Sequence, residues 1–303
     1  MDMDWPRTND EAAVRAWIRR VLEYQGADSG EWKPVTSWLL DDVTGRSRGE
    51  RMMASPYRFS ESQLNQLSRV LMRLGAGEPI QYVMGQVEFM GLDLAIGPGA
   101  LIPRPETEEL TGMLVEYVAA KSGHVSAFRV LDLCTGSGCI ALGLRGQLGR
   151  QNLEIQGEDV SEDALHWARL NARKLNLDVN FWQNDLLSWA PKDSEPWDVI
   201  VSNPPYIPES EALQLADHVR MHEPKLALFT PVDEPLHFYQ AILAQCLSGR
   251  LADGGLCAME CHRDYAEDVM QLFADADRFD QVEIRRDLQG ENRFVWAQSL
   301  RRN

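Results

Sequence analysis

The stretch VLDLCTGSG at Val130–Gly138, followed by CIAL at Cys139–Leu142, decides how the chain is expected to fold. It opens with a short, mostly apolar run, which is typical of a buried strand in a parallel sheet. The small residues that follow allow a tight turn, and the next apolar residues fit the start of a helix. A strand, a glycine loop and a helix in this order predict a ligand-binding unit of an α/β protein.

The same alternation continues on both sides of this stretch. Strands are predicted at Arg129–Leu133, Glu154–Glu158, Val179–Gln183, Val199–Ser202, Gly255–Glu260, Gln281–Arg285 and Phe294–Gln298. Helical patterns lie between them near 139–148, 162–175, 234–250 and 264–275. Strands and helices that alternate at this spacing predict an α/β fold with a doubly wound, mainly parallel sheet.

The first 80 or so residues have a different, helical periodicity. Helices are predicted over 10–24, Val35–Val43 and Leu64–Leu74, with a break at Gly26–Gly30. Ser60 and Gln63 have the spacing of a capping box at the start of the third helix. This part of the chain is therefore predicted to be a small helical domain.

A connector separates the helical part from the α/β part. Glu78–Tyr82 and Val87–Leu94 change toward a period of two, and a glycine at position 91 predicts a β-hairpin. A Pro- and Gly-rich segment, Gly97–Glu109, then leads into a helix that is predicted to begin near Pro105. The predicted domains are 1–84 (helical, for substrate recognition), 85–104 (hairpin linker) and 105–303 (α/β).

Composition restricts the class of partner. The 303 residues carry 46 acidic and 30 basic side chains, for a net charge of −16. This charge opposes binding to a phosphate backbone and favours a protein or a small ligand as partner. The sequence has no apolar run of membrane-spanning length and no signal-peptide pattern, and its five cysteines form no CxxC pair. We expect a cytoplasmic monomer with reduced thiols, no metal, no membrane contact and no direct nucleic-acid contact.

Three successive strand ends carry residues that suit an adenosyl ligand. The Thr135–Gly138 loop lets a ligand approach the backbone, although a plain βα turn would look similar. Asp159, about 20 residues on, is placed to accept ribose hydroxyls, the alternative being a solvated turn residue. Asn184–Leu186 is placed to meet an adenine edge, and an Asx turn is the alternative there.

The fourth strand end carries NPPY at Asn203–Tyr206. Two prolines stop the strand and fix the backbone, which leaves an Asn amide and a tyrosine ring at the edge where ligands bind in such sheets. A plain Pro-rich turn is the alternative. Together with the adenosyl residues, the motif predicts a site that holds a planar polar group still.

These motifs resemble those of a known family. DLCTGSG at Asp132–Gly138, with Asp159, Asp185 and NPPY, is similar to class I S-adenosylmethionine-dependent methyltransferases that act on planar amide or amino nitrogens. NPPY is shared by adenine-N6 DNA methyltransferases and by protein-glutamine methyltransferases of the HemK/PrmC type. The flanking segments over roughly residues 35–300 resemble the branch that acts on peptide chain release factors: Gly77–Tyr82, Leu101–Glu108, Glu223-Pro224 and Asp287–Arg293.

The resemblance implies a Rossmann-like, seven-stranded methyltransferase domain after a helical bundle and a hairpin. It implies methyl transfer from S-adenosyl-L-methionine to the side-chain nitrogen (N5) of the glutamine in the GGQ motif of release factors. A ribosomal-protein glutamine or, further off, an adenine in DNA is the alternative substrate. The implied site residues are, for catalysis, Asn203, Pro204 and Tyr206; for substrate binding, these and Pro205; and for the methyl donor, Cys134, Thr135, Gly136, Ser137, Gly138, Asp159, Asp185, Leu186 and Asn203.

Three departures from the family pattern stand out. Cys134 occupies a position where the release-factor branch usually has Gly, and it resembles the branch that acts on a ribosomal protein. Thr230–Pro235 replaces a Gly-rich turn, and Cys261-His262 replaces a Glu-x-Gly pattern after Glu260. We expect these departures to alter local geometry rather than the chemistry.

Overall fold

The computed structural model describes residues 5–24, 29–54, 57–122, 127–149, 152–188, 195–231 and 234–299. The chain divides into two compact units, Met1–Met84 and Gly85–Asn303, and each is considered by itself. Residues 85–104, predicted as a linker, lie within the second unit. In the described ranges, no helix has the length and apolar character needed to cross a membrane.

The described helices and strands follow the predicted order. The α-helices are α1 Glu11–Tyr24, α2 Ser29–Thr44, α3 Arg48–Met53, α4 Glu61–Gly75, α5 Ile80–Met84, α6 Pro105–Ser122, α7 Cys139–Leu148, α8 Glu162–Leu175, α9 Asp217–His222, α10 Lys225–Leu228, α11 His237–Gln245 and α12 Ala266–Ala274. The strands are β1 Gln86–Phe89, β2 Leu92–Ala95, β3 Phe128–Leu133, β4 Leu153–Asp159, β5 Asn180–Gln183, β6 Trp197–Ser202, β7 Ile207–Pro208, β8 Phe229–Thr230, β9 Leu251–Glu260, β10 Gln281–Arg286 and β11 Asn292–Gln298. Short 3-10 turns cover Glu209–Gln214 and Arg263–Tyr265, and a π-helical turn covers Cys246–Arg250.

The first unit is a helical bundle around one apolar core. The buried face of α1 carries Val14, Trp17, Ile18, Val21 and Leu22, at the spacing of an amphipathic helix. Helix α4 starts with the predicted capping box, because Ser60 Oγ accepts from the Gln63 N–H at 3.2 Å and Gln63 Oε1 accepts from the Ser60 N–H at 2.9 Å. The helical character of this part is confirmed.

Two details of the first unit differ from the prediction. Helix α2 begins at Ser29 rather than Val35, and it continues through Pro34. Part of the predicted break, residues 26–28, lies outside the described ranges. The prediction of a period of two at Glu78–Tyr82 is wrong, because most of this stretch forms α5, whose Tyr82 and Val83 are buried.

The second unit begins with the predicted hairpin. Strands β1 and β2 pair antiparallel, from Gln86 with Ala95 to Phe89 with Leu92. The two turn residues, Met90 and Gly91, have φ values of 52° and 74°, as a tight turn that matches the strand twist requires. Asn171 of α8 bonds both the N–H and the C=O of Ala95, and so it fixes the hairpin to the sheet domain.

The sheet of the second unit has seven strands in the order β10-β11-β9-β6-β3-β4-β5. Strands β9, β6, β3, β4 and β5 pair in parallel, and β11 is antiparallel to both of its neighbours. The predicted strands and their mainly parallel arrangement are confirmed. The chain order reverses at β3, between β4 and β6, and the carboxyl ends of these strands are where such sheets bind ligands.

Both faces of the sheet are covered by helices, which explains why its central strands β3 and β6 are largely apolar. Along β3, Val130 contributes to the core shared with α6, α7 and α8, whereas Leu131 contributes to the core shared with α11 and α12. Successive residues of a strand point to opposite faces, so both must be apolar in a sheet buried on both sides.

Candidate active site

The glycine loop joins β3 to α7 in a conformation that depends on its small residues. Cys134, Gly136 and Gly138 have φ values of 57°, 56° and 80°. Gly138 is the N-cap residue of α7, and a Cβ there would lie only 2.8 Å from the Phe181 ring. Cys134 takes a left-handed conformation that glycine adopts without cost, and this explains why glycine is usual at that position.

The Asp132 side chain stabilises the glycine loop and the start of α7 through two hydrogen bonds. Its Oδ2 accepts from the Thr135 hydroxyl at 2.6 Å and from the Ala141 N–H at 3.2 Å. The side chain is fully buried, and Oδ1 has no partner among the described residues. Burial raises the pKa of Asp132 to about 7, and its two hydrogen bonds only partly oppose that rise. Thr135 and Ser137, both predicted as donor-binding, are themselves buried.

Asp132→Asn should remove the pH dependence of this contribution to stability. The folded pKa of about 7 lies above the ordinary 3.8, so the carboxyl stabilises the fold while neutral and loses that contribution as pH rises from about 4 to about 7. Relative to Asp132→Asn, the wild-type protein should therefore lose about 2 kcal/mol of unfolding free energy between pH 5 and pH 7. Urea denaturation of both proteins at each pH measures this difference, and an unchanged difference would contradict it.

Asp159 ends β4 beside the loop. Its Oδ2 accepts from the Gly136 N–H and its Oδ1 from the Ser161 N–H, both at 2.9 Å. Burial raises the pKa of Asp159, while these backbone donors work in the opposite direction. Each carboxylate oxygen has a second lone pair, so both can still accept a ligand hydroxyl.

The segment after β5 contains the Asx turn that was left open as an alternative. Asp185 Oδ1 accepts from the Leu187 N–H and Oδ2 from the Ser188 hydroxyl, both at 2.9 Å. Asp185 and Leu186 nevertheless line the same cleft as Asp159. The turn and the cleft lining are therefore compatible.

A buried ion pair beneath this segment was not foreseen. Arg250 bonds Glu158 Oε1, with only 4% and 6% of the two side chains exposed, and Asn184 Nδ2 donates to Glu158 Oε2 at 2.9 Å. The pair ties the end of β4 to the start of β9 and to the Asn184 turn. Its one signal in the sequence is a charged residue directly before Asp159, at the end of a strand.

The NPPY loop follows β6 and is held by two other elements. Asn203 Nδ2 donates to Thr107 Oγ1 of α6 at 3.0 Å, and Thr107 donates to Glu260 Oε2 of β9 at 2.7 Å. The Tyr206 hydroxyl donates to Glu260 Oε1 at 3.0 Å. Burial raises the pKa of Tyr206, and the nearby Glu260 carboxylate adds to that rise. Pro204 and Pro205 are both buried.

The connector forms one wall of the cleft. Glu223, which is buried, accepts from the Ile102 N–H at 3.1 Å and pairs with Arg104 at 2.6 Å. These two contacts hold the Gly99–Leu101 segment opposite the Pro224–Ala227 segment, and both segments face the cleft. In the sequence, Glu223-Pro224 was identified only as a segment that resembles the family, and these contacts could not be predicted because the partners of Glu223 lie more than 100 residues away.

The cleft has a volume of about 800 Å³, its open mouth included. It brings together seven of the predicted site residues: Cys134, Gly136, Asp159, Asp185, Leu186, Asn203 and Pro205. Thr135, Ser137, Gly138, Pro204 and Tyr206 do not line it, and they support the loops that do. Among the described residues, no cluster of three or more His, Cys, Asp or Glu side chains is placed to hold a metal.

Two family models match the chain. A PrmC N-terminal domain matches residues 13–85, and a methyltransferase small domain matches residues 106–222. Among solved structures, an N-terminally truncated METTL16 methyltransferase domain has a TM-score of 0.50 at 18% identity, covering 70% of this chain and 90% of its own. At that identity the likeness supports the fold alone.

Curated relatives match over nearly the whole chain. The release factor glutamine methyltransferase of Bacteroides thetaiotaomicron is 34% identical over 284 residues, which are 94% of this chain and 98% of the relative. That of Bacillus subtilis is 33% identical over 270 residues, covering 89% and 92%. These matches confirm the resemblance predicted from the motifs and the methyltransferase class that it implied. The chain belongs to the release factor glutamine methyltransferase family.

Proposed function

We propose that the protein transfers a methyl group from S-adenosyl-L-methionine to the N5 side-chain nitrogen of the glutamine in the GGQ motif of peptide chain release factors. The observation that carries this proposal is that Asn203 lines the cleft while its Nδ2 donates to Thr107 Oγ1. Within the described ranges no protein donor meets Asn203 Oδ1, so this oxygen can accept from a substrate N–H. The names of the relatives support the choice of substrate.

The cleft residues fit the methyl donor. Gly136 offers room, since a Cβ there would have no neighbour within 4 Å, and Asp159 keeps lone pairs for ribose hydroxyls. Leu133 and Leu186 supply apolar surface of the kind that an adenine ring packs against. When bound, the donor supplies a methyl group on a positively charged sulfur.

The NPPY loop would hold the glutamine amide. Asn203 Oδ1 and the Pro204 carbonyl would accept hydrogen bonds from the two N–H groups of this amide. These acceptors favour positive charge that develops on its nitrogen. The nitrogen bonds to the methyl carbon as the carbon–sulfur bond breaks with its electron pair on sulfur, and one N–H proton passes to water. Two buried prolines keep the acceptors in place, so little ordering is needed at the moment of reaction. Tyr206 does not line the cleft, and it would act from behind the loop, where its hydroxyl donates to Glu260.

The substrate is tested by incubating the full chain and methyl-labelled donor with one of three acceptors: a release factor, ribosomal proteins, or duplex DNA containing adenine. We expect label in the release factor, located by mass spectrometry at the GGQ glutamine, and none in a release factor with that glutamine changed to alanine. Label in the ribosomal proteins or the DNA instead would overturn the proposal. The helical first unit is proposed to recognise the protein substrate, and its removal should raise KM for the release factor.

A further inference from the structure

Four side chains from three separate parts of the second unit form one hydrogen-bonded chain behind the NPPY loop. Asn203 Nδ2 lies 3.0 Å from Thr107 Oγ1, which lies 2.7 Å from Glu260 Oε2. Tyr206 closes the arrangement from the other side, 3.0 Å from Glu260 Oε1. Thr107 and Glu260 are 2% and 1% exposed, so water does not substitute for any of these partners.

The hydrogens available to these four side chains decide the direction of each hydrogen bond between them. Burial raises the pKa of Glu260, and the hydrogen bonds from Thr107 and Tyr206 oppose that rise. In its ionised form the carboxylate only accepts, so both oxygens take hydrogens from hydroxyl groups, one from Thr107 and one from Tyr206. A threonine hydroxyl has a single hydrogen. Once that hydrogen points to Glu260, Thr107 Oγ1 can only accept toward Asn203. The NH₂ end of the Asn203 amide must therefore face Thr107.

The other end of the amide then points away from Thr107. Asn203 lines the cleft beside Cys134 and Pro205. With Nδ2 directed to Thr107, the acceptor oxygen is left for the cleft. A turn of the amide by 180° would put two donors, Asn203 Nδ2 and the substrate N–H, against each other.

We propose that Thr107 and Glu260 are positioning residues that fix the Asn203 side chain with its oxygen toward the substrate. The role of that oxygen rests on the proposed function, whereas the orientation of the amide does not. Neither residue lines the cleft, so both act through Asn203. A second consequence is that the effects of changing them are coupled, because each change breaks the same chain of hydrogen bonds.

The first test is Thr107→Val, which keeps the side-chain shape and removes the hydroxyl. We expect kcat for methyl transfer to fall about 10²-fold, because a substrate amide that is no longer held in the productive orientation reacts more slowly. The affinity for the methyl donor should change little. Thr107→Ser, which restores the hydroxyl, should recover most of the activity. Loss of both kcat and donor affinity in equal measure would indicate a collapsed site and would overturn the proposal.

Thr111→Val is the matched control. Thr111 lies one turn further along α6, is equally buried, and its hydroxyl donates only to the Thr107 carbonyl at 2.7 Å. The same substitution there removes a buried hydroxyl without touching the hydrogen-bonded chain. It should leave kcat near that of the wild type, and equal losses in the two variants would contradict a positioning role.

Glu260→Gln tests the direction of the protons. A glutamine offers one accepting oxygen in place of two, so the Thr107 hydrogen is free to turn toward Asn203 and allow its amide to turn over. We expect kcat to fall, and the double variant Glu260→Gln/Thr107→Val to be no slower than the slower single variant. Losses that multiply would show independent roles and overturn the proposal.

The orientation can also be read without substrate or donor. In the ¹⁵N-labelled protein, the Asn203 side-chain NH₂ resonances are assigned by their absence in Asn203→Ala. They should shift in Thr107→Val and in Glu260→Gln and remain in place in Thr111→Val. Unmoved resonances in Thr107→Val would overturn the inference whether or not release factors prove to be the substrate, and an inactive wild-type protein would count against the proposed function alone.

Discussion

Asn203→Ala should lower kcat for methyl transfer to the release factor by about 10³-fold. The variant loses the oxygen proposed to accept a substrate N–H, and it also loses the donor that keeps this oxygen in place through Thr107. A glutamine amide is a weak nucleophile, because its lone pair is delocalised into the carbonyl. Correct placement and stabilisation of its developing charge therefore account for most of what the protein can contribute.

The measurement separates chemistry from binding. Single-turnover transfer of labelled methyl gives the chemical step, and calorimetry gives the affinity for S-adenosyl-L-methionine, which should change far less than the rate. Asn203→Asp is the informative companion, because it keeps an oxygen for the substrate but offers Thr107 a second acceptor in place of a donor. Its rate should lie between those of the wild type and Asn203→Ala. Turnover near wild type in Asn203→Ala would refute the role of this side chain.

The sheet could be predicted from the sequence because its central strands are buried on both faces. Apolar runs such as the one before Asn203 have no other stable location in a protein of this composition. The residues at which the strands begin and end were less predictable. Strand β9 begins at Leu251 rather than Gly255, because the glycines at 254 and 255 lie in an irregularity of its pairing with β6 and not in a turn.

Four short helices, α3, α5, α9 and α10, were not predicted from the sequence, and the first two show different reasons. Helix α3 has a capping box between Ser47 and Glu50, a signal that the sequence contains, but it is too short to show helical periodicity. Helix α5 is a single turn after Pro79, with Tyr82 and Val83 packed inside. Local preference is weak in such short segments, and tertiary packing decides their conformation.

The donor side of the site was easier to predict than the network behind Asn203. Glycines and an acid at successive strand ends form a local pattern, and the topology of the sheet brings strand ends together. Thr107 and Glu260 are 153 residues apart, and no local pattern pairs them. The available signal was Glu260 itself, a charged residue at the end of an apolar run, since a buried carboxylate needs partners.

The departure at Cys134 has a structural explanation. The position has a φ of 57°, so glycine is favoured there by the backbone rather than by the substrate. A cysteine accepts a cost of about 1–2 kcal/mol for the same conformation. The residue therefore distinguishes the two glutamine-methylating branches weakly, and it does not argue against the release-factor assignment of the relatives.

Asp159→Ala should weaken binding of S-adenosyl-L-methionine by about 10²-fold or more. Hydrogen bonds to a charged acceptor contribute about 1.5–3 kcal/mol each, and two ribose hydroxyls on one carboxylate therefore account for at least about 3 kcal/mol. The change also releases the Gly136 and Ser161 N–H groups that Asp159 holds at 2.9 Å, so the loop that approaches the donor loses its anchor. Both effects lower affinity.

Two further variants show whether the loss is specific to this carboxylate. Asp178→Ala removes the same charge from an exposed position after α8 and should bind the donor as the wild type does. Asp159→Asn keeps the shape, but its NH₂ group must face either Gly136 N–H or Ser161 N–H, so two donors meet and affinity should fall here as well. Calorimetry on the wild type and the three purified variants measures these affinities. If Asp159→Ala binds the donor as tightly as Asp178→Ala does, Asp159 is not part of the donor site. Its role would then be limited to its contacts with the glycine loop.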